Sequence, residues 1–281
     1  MNLLSEINHN VESALAEDIG TGDLTALLVP NEKKLKASVV SREDTTLCGS
    51  RWFEACFWQL ASDTKIHWFF KDGETIQAEQ KICEIEGSAR PLLTAERTAL
   101  NFLQTLSAVA ALTKRYVNAI SGTNAVIVDT RKTLPGLRFA QKYAVKCGGG
   151  VNHRFGLYDG ILIKENHIIA AGSIEQSLVN AQKIAPSTSF IQIEVETLDE
   201  LLTAIKAGAK MILLDNFSLN QLKEARQLAG GDIILEASGN ITLENVTAVA
   251  NTGVDRISIG SLTKDIKAVD LSMRFQALSE F

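Results

Sequence analysis

The sequence predicts an α/β fold: an open (β/α) barrel of about six parallel strands, with an α+β N-terminal domain. Three observations carry this reading. First, six short runs rich in Ile, Val and Leu occupy the second half of the chain: AVIVDT (125–130), GILIK (160–164), IQIEVE (191–196), MILLDN (211–216), IILEAS (233–238) and RISIG (256–260). Such runs fit strands buried on both faces, as in parallel sheets. Second, helical patterns separate the later runs, at Ile174–Ile184, Leu198–Ala207, Leu219–Ala229 and Leu243–Thr252. Third, every run ends in a polar or glycine cluster, and the carboxyl ends of barrel strands are where active sites are built. A doubly wound sheet is the alternative, but no G-x-G-x-x-G follows the first run.

The chain has 281 residues, 46% apolar and 22% charged, enough for two domains with sizeable cores. We expect an N-terminal domain over 1–112, including a linking helix, and a catalytic barrel over 113–281 whose last residues are free to pack back on the first domain. The net charge of −5 argues against a general nucleic-acid binder. Four cysteines form no CxxC pair or zinc spacing and read as reduced thiols. The N-terminus lacks a signal-peptide pattern, and no apolar run is long enough to span a bilayer. A cytoplasmic protein is expected.

In order along the chain, Leu3–Ala16 carries Leu4, Ile7, Val11 and Leu15 at helical spacing. EDIGTGDLT (17–25) reads as a tight polar loop, either a simple helix stop or a loop near a site or partner subunit. LKASVVSRE alternates as a strand, Ser50–Ala61 fits a helix with Ser50 as N-cap, and KIHWFFKDGETI reads as a strand with a turn at Asp72-Gly73. KICEIEG is a further strand. Trp52, Trp58 and Trp68 are expected in the core of this domain. Leu92–Ile120 is the longest helical pattern, with Thr94 as a possible cap. Near its start the helix dipole disfavours Arg97, which should therefore pair with an acid such as Glu96 or reach for an external anion.

The stretch Asp129–Lys164 holds seven Lys and Arg against two Asp, in an acidic protein. This concentration points to a pocket for small, highly charged anions. Arg131, Lys132, His153, Arg154 and Lys164 supply positive charge and hydrogen-bond donors, and arginine's planar fork suits carboxylates and phosphates. Glu194 and Asp215 can hold Mg²⁺ on a polyphosphate or stabilise a developing cation. Ser238-Gly239 and Gly260-Ser261 offer backbone N–H groups at helix starts, a common phosphate cradle. A phosphorylated molecule and a small polycarboxylate are the expected ligands. Lys142 and Lys146, spaced i, i+4, read as a solvated helix face, and Arg138 is open. Gly148–Gly150 is either a flexible turn or a place of close backbone approach to a ligand. His153 is equally open to a structural role.

DTRKTLPGLR, KYAVKCGGGVNHRFGL and LIKENHI together resemble the central block of the quinolinate phosphoribosyltransferase family. TAERTALNFLQ, EDIGTGDLT, EVE, LLDN, EASGNI and GVDRISIGSLT follow the same family in order, so the resemblance spans nearly the whole chain. It implies a type II phosphoribosyltransferase that joins quinolinate to phosphoribosyl pyrophosphate with Mg²⁺. The implied products are nicotinate mononucleotide, pyrophosphate and CO₂, in NAD biosynthesis. It implies a homodimer or larger assembly in which Arg97 enters the neighbouring site and binds a quinolinate carboxylate. By the same resemblance Arg131, His153, Arg154 and Lys164 line the quinolinate pocket, with Thr130 and Lys132 in the same loop and Lys132 near phosphoribosyl pyrophosphate. Lys132, Glu194 and Asp215 are the implied catalytic residues. The two acids also stand by the metal, through water or pyrophosphate, and Glu196 is the fallback for Glu194. Ser238, Gly239, Asn240, Gly260 and Ser261 match the 5′-phosphate cradle. Two departures fall on the phosphate side: Asn240 where many relatives have Gly, and Lys264 where many have His. A nicotinate-using paralogue and a non-catalytic metabolite binder are the rival readings.

Overall fold

The computed structural model describes residues 2–187 and 189–277. The chain opens with α1 (Leu3–Ile19), β1 (Lys34–Ser41), β2 (Thr45–Thr46), α2 (Ser50–Leu60), β3 (Lys65–Trp68), β4 (Thr75–Ile76), β5 (Lys81–Ser88) and the long α3 (Ala89–Ala119). It continues through β6 (Val126–Val128), α4 (Arg138–Cys147), β7 (Gly160–Ile163), α5 (Glu165–Ala171), α6 (Ile174–Ile184), β8 (Phe190–Val195), α7 (Leu198–Lys206) and β9 (Met211–Asp215). The last elements are α8 (Leu219–Ala229), β10 (Ile234–Ser238), α9 (Val246–Ala250), β11 (Arg256–Ser258), α10 (Ser261–Lys264) and β12 (Leu271–Ala277). These elements form two compact units. One holds the chain up to Lys114, together with Thr133–Gly149 and the segment from Thr263 onward; the other holds Arg115–Lys132 and Gly150–Leu262.

The first unit is built on an antiparallel sheet of order β12-β1-β5-β3. Strand β12 runs antiparallel to β1 from Ser41↔Leu271 to Leu35↔Ala277, so the end of the chain completes the sheet begun near its start. Ile7, Val11 and Leu15 of α1 join Trp52, Phe53 and Phe57 of α2 in one apolar core. Trp52 is anchored by its indole N–H, which donates to Asn10 Oδ1 at 3.1 Å. Trp58 departs from the expected core: it is 46% exposed, with its indole N–H on the Thr64 carbonyl.

Two helix starts differ from the sequence reading. The N-cap of α2 is Gly49, at φ 104, and the capping acceptor is Asp72, which takes the amides of Gly49 and Ser50, both at 3.2 Å. A distant carboxylate thus replaces the hydroxyl expected from Ser50 itself. Helix α3 begins at Ala89, not Leu92, and Pro91 is accommodated because its missing N–H falls in the first turn. Thr94 therefore lies inside the helix, 2.8 Å from Asp23 Oδ2. Arg97 is moved beyond the reach of the N-terminal dipole, so that argument for its role no longer applies. Asp23 also accepts the amides of Thr25 and Ala26, and Gly20 caps α1, so EDIGTGDLT does serve as a helix stop.

Helix α4 belongs to the first unit. Gln141 joins its parts, accepting from Leu134 N and donating to the Thr263 carbonyl, both at 2.8 Å. Lys146 is exposed, but Lys142 is fully buried, contrary to the expected solvated face. Ala140, Gln141, Lys142, Ala144 and Val145 are all buried, so α4 is covered on more than one side.

The second unit is a parallel sheet of order β6-β11-β10-β9-β8-β7. Neighbours follow chain order cyclically, with first strand β6 beside last strand β11. A doubly wound sheet would instead reverse direction at a switch point. Among the described residues no ladder joins β6 to β7, so the barrel is open there. Each predicted run coincides with one of these strands, β8 beginning one residue before its run, at Phe190. Among the described residues no helix is long and apolar enough to cross a membrane.

Candidate active site

Successive residues of a strand face opposite ways, and in β8 this sorts the chemistry. Ile193 and Val195 are buried in the core, while Gln192 and Glu194 share the other face. Register carries that face across the sheet, pairing Glu194 with Leu213, Leu213 with Glu236 and Glu236 with Arg256. Thr130, Arg131, Lys132, His153, Arg154, Lys164, Glu194 and Ser238 line a cavity of about 290 Å³ together with Asp129, Leu162, Leu213, Glu236 and Ser258.

The cavity is cationic on one side. Arg154 is half-buried, with one guanidinium N–H on the Gly160 carbonyl at 2.9 Å. Burial and the neighbouring Arg131 both lower its pKa, against a smaller opposite effect of Asp159. That carboxylate already accepts from the amides of Phe155 and Gly156, at 2.8 and 3.0 Å. Arg131 Nε is buried and has no hydrogen-bond partner among the described residues. Two guanidiniums held close enough to repel, one with an unsatisfied buried donor, form a site complementary to an anion.

Lys164 and Glu194 are paired at 2.7 Å, which meets the cost of both charges at adjacent strand ends. Acids gather beside them. The Glu196 carboxyl is raised chiefly by Glu165, with Glu200, Asp215 and Glu194 contributing. Glu194 lines the cavity whereas Glu196 is exposed beyond the strand, so geometry favours Glu194 of the two.

His153 does not present a free nitrogen. Its Nδ1 accepts from Arg154 N at 2.8 Å, which leaves the proton on Nε2, 2.8 Å from Gln192 Oε1. Gln192 Nε2 donates to Glu236 Oε2 at 3.2 Å, and Arg256 Nε lies 3.0 Å from the same oxygen. Gln192 and Glu236 are fully buried. Above them, Asp129 accepts from Asn152 Nδ2 at 2.6 Å and His153 N at 2.9 Å. His153 is thus held within a buried polar network instead of adding charge to the pocket. The sequence places Asp129 and Glu236 in strand-end polar clusters without a separate role, and it does not single out Gln192 or Arg256. The available signal was a polar residue at every second position of apolar runs, in IQIEVE above all.

The phosphate-side candidates occupy neighbouring positions. Asp215 pairs in register with Ser238 and accepts from Asn216 Nδ2 at 2.9 Å. Ser238, Gly239 and Asn240 line a second cavity of about 380 Å³ with Asn216 and Asn245. Ser238-Gly239 opens a loop, not the helix start expected, since α9 begins only at Val246. Gly260 and Ser261 follow β11 at the start of α10. Lys264 pairs with Asp265. Asn240 adopts φ 51, a conformation asparagine tolerates, so the departure from Gly is accommodated.

Gly239 has φ +98, and a Cβ there would lie 2.1 Å from Asn216 Oδ1 and 3.0 Å from Asn216 N. Gly239→Ala should therefore distort this loop, with backbone strain on the order of 1–3 kcal/mol. The expected result is a higher KM for the phosphorylated substrate with little change for the carboxylate substrate, measured by steady-state kinetics.

Comparison with known proteins decides what this site belongs to. The quinolinate phosphoribosyl transferase C-terminal domain model matches residues 109–274, and the N-terminal domain model matches 23–107. A probable nicotinate-nucleotide pyrophosphorylase [carboxylating] of Bacillus subtilis is 42% identical, covering 92% of this chain and 89% of its own. The chain belongs to the quinolinate phosphoribosyltransferase family.

Solved structures agree with that membership. The nicotinate-nucleotide pyrophosphorylase of Francisella tularensis matches with TM-score 0.94 and 45% identity over 98% of both chains. NadC of Streptococcus pyogenes matches with TM-score 0.95 and 37% identity over 99% of both. As a quinolinate phosphoribosyltransferase family member, the protein places the motif cations Arg131, Arg154 and Lys164 around one cavity, with His153 as an internal brace.

Proposed function

We propose that the protein transfers the phosphoribosyl group of phosphoribosyl pyrophosphate to quinolinate, with loss of CO₂, giving nicotinate mononucleotide for NAD biosynthesis in the cytoplasm. The observation that carries this is the juxtaposition of Arg131 and Arg154, whose mutual repulsion outweighs the opposing effect of Asp159 on Arg154. A ring bearing two adjacent carboxylates supplies the charge that this pair lacks.

Arg131 and Arg154 grip the carboxylates and orient the ring nitrogen towards ribose C1. Orientation of two bound reactants contributes up to roughly 7–11 kcal/mol in favourable systems. A carboxylate arriving at Lys164 shares that ammonium with Glu194, leaving Glu194 to face the positive charge that develops on the ribose. The nitrogen bonds to C1 as the C1–pyrophosphate bond breaks, and Lys132 faces the departing anion. The cationic ring then accepts the electron pair of the adjacent C–CO₂ bond, CO₂ leaves, and the ring carbon takes a proton from solvent.

Glu194 and Asp215 would stand by a Mg²⁺ that arrives on the pyrophosphate. Their hard oxygens suit an ion that keeps most of its waters and binds through one or two carboxylates and phosphates. The ion would neutralise charge on the leaving group.

A panel of pyridine acids with phosphoribosyl pyrophosphate and Mg²⁺ tests the assignment. CO₂ release and mononucleotide formation with quinolinate alone support it; turnover of nicotinate alone, or binding without turnover, overturns it.

Arg97 is exposed on α3 and lines a cavity of about 650 Å³ with Asp18, Asp23 and Glu96. We assign it to the quinolinate site of a partner subunit in a homodimer. Arg97→Ala and Lys164→Ala should each be nearly inactive, but mixed subunits should regain activity. A hybrid dimer then holds one site with both cations, so about a quarter of wild-type activity is expected after random re-association. No recovery in a confirmed mixed dimer would place Arg97 outside the partner's site.

A further inference from the structure

Away from the cavity, Cys48, Asp72 and Cys147 bring two sulfurs and a carboxylate within 4.8 Å of one another. All three belong to the first unit. The surrounding backbone is firmly held. Cys48 N donates to Ser107 Oγ at 3.0 Å, and Ser107 Oγ donates back to the Cys48 carbonyl at 3.1 Å. The Cys147 carbonyl abuts Gly73, where an added Cβ would lie 3.2 Å away. Gly148 sits so close to α3 that a Cβ would meet the Ala110 carbonyl at 2.5 Å.

Asp72 is already occupied. Its carboxylate accepts from Gly49 N, Ser50 N and, at 2.9 Å, Tyr143 Oη. The two sulfurs are therefore the reactive part of the cluster, and two thiolates with a saturated carboxylate fall short of a closed four-ligand zinc site. Cys48 is fully buried, whereas Cys147 is half-exposed. A partly exposed cysteine beside a buried second one is the arrangement of a peroxide-reactive cysteine with its resolving partner.

We propose that Cys147 and Cys48 form a reversible oxidation site that closes to a disulfide and slows turnover. The Cys147 thiolate attacks one oxygen of hydrogen peroxide. The O–O bond breaks, leaving a sulfenic acid on Cys147 and a hydroxide that takes up a proton. The Cys48 sulfur then attacks the Cys147 sulfur, the S–O bond breaks, and water leaves. Two thiols are oxidised and one peroxide is reduced to two waters; a dithiol reductant reverses the closure. The order of attack has a further support. The side-chain interaction with Cys48 lowers the Cys147 pKa, while burial pushes Cys48 up. Because Cys48 and Cys147 are both held by tightly packed backbone, closing the gap to about 2.05 Å strains the segment that follows Cys147. The chain then runs directly from Cys147 through Gly148–Gly150 to Asn152, His153 and Arg154. Burial pushes Cys56 up to about 12 and raises Cys83 further, so these two serve as internal controls.

The test treats the full chain with hydrogen peroxide and reads thiol count, peptide linkage and turnover. We expect free thiols to fall from four to two with a 48–147 linked peptide. Turnover should fall at least about fivefold, since small misplacements of binding groups cost up to about 100-fold, and dithiothreitol should restore it. Cys48→Ser should keep its basal turnover, form no linkage and accumulate a dimedone-reactive sulfenic acid at Cys147. Cys147→Ser should resist both changes. Absence of the 48–147 linkage, linkage with unchanged turnover, or stoichiometric bound zinc shielding both thiols would overturn the proposal.

Discussion

Replacing Arg131 with alanine is expected to lower kcat/KM by about 30- to 5,000-fold, the equivalent of roughly 2–5 kcal/mol for truncating one member of a buried charge pair. The protein should stay folded. Arg131 Nε has no hydrogen-bond partner among the described residues, and the guanidinium repels Arg154. Its removal therefore breaks no internal ion pair at Nε and relieves an unfavourable one, so the thermal midpoint should hold or rise. The loss should appear in both kcat and KM, because the same fork binds the carboxylate and aims the ring. Arg131→Lys separates charge from geometry. A point charge on a flexible stem retains attraction but not two parallel bonds, so only part of the activity should return. Steady-state kinetics on both variants, with thermal unfolding alongside, decide the matter. Near-wild-type kcat/KM in the alanine variant would remove Arg131 from the site.

Why Arg131 could be picked out from sequence while its supports could not is a question of range. Arg131, Lys164 and Glu194 stand at or just past the ends of apolar runs, where the chain pattern itself marks a change of environment. Gln192 lies two residues before Glu194 on the same face, yet its importance depends on His153 and Glu236, 39 and 44 residues away. Glu236 was visible as a carboxylate in an apolar run, which requires a partner, but nothing local identifies Arg256. Only the parallel register sets them side by side. The same limit explains Lys142. Spacing relates it to Lys146 but cannot say which sides of α4 are covered, and that depends on contacts distant in the chain. Helix starts failed for a related reason: Ser50 and Thr94 have capping chemistry, but Asp72 reaches the first from another turn and Pro91 allows an earlier start for the second. The barrel was legible because six buried strands repeat one pattern, each reinforcing the others.

Glu236→Ala should destabilise the protein by about 3–5 kcal/mol, the usual consequence of removing one partner from a buried ion pair. Glu236 is fully buried, accepts from Gln192 Nε2 and forms an ion pair with Arg256 through the same oxygen. Without it, Arg256 keeps a largely buried charge with no counter-charge from β10, and Gln192 loses the bond that holds its amide in place. His153 then loses its fixed acceptor, and with it the alignment of Arg154 N on Nδ1. Turnover should fall even where the variant remains folded, with a larger effect on kcat than on substrate KM, since neither Glu236 nor Gln192 is proposed to grip a substrate group. Arg256→Met in the same background distinguishes pair energetics from general damage. Replacing both members of a buried pair by apolar groups is often neutral to stability, so Glu236→Ala/Arg256→Met should be more stable than Glu236→Ala alone. Its turnover should nevertheless stay low, because Gln192 and His153 remain without their brace. Urea unfolding of the single and double variants gives the coupling energy, and kinetics at a temperature where all are folded gives the catalytic part. If the two losses are simply additive, Glu236 and Arg256 do not act as a pair; if the double variant recovers full turnover, the brace on His153 contributes nothing to catalysis.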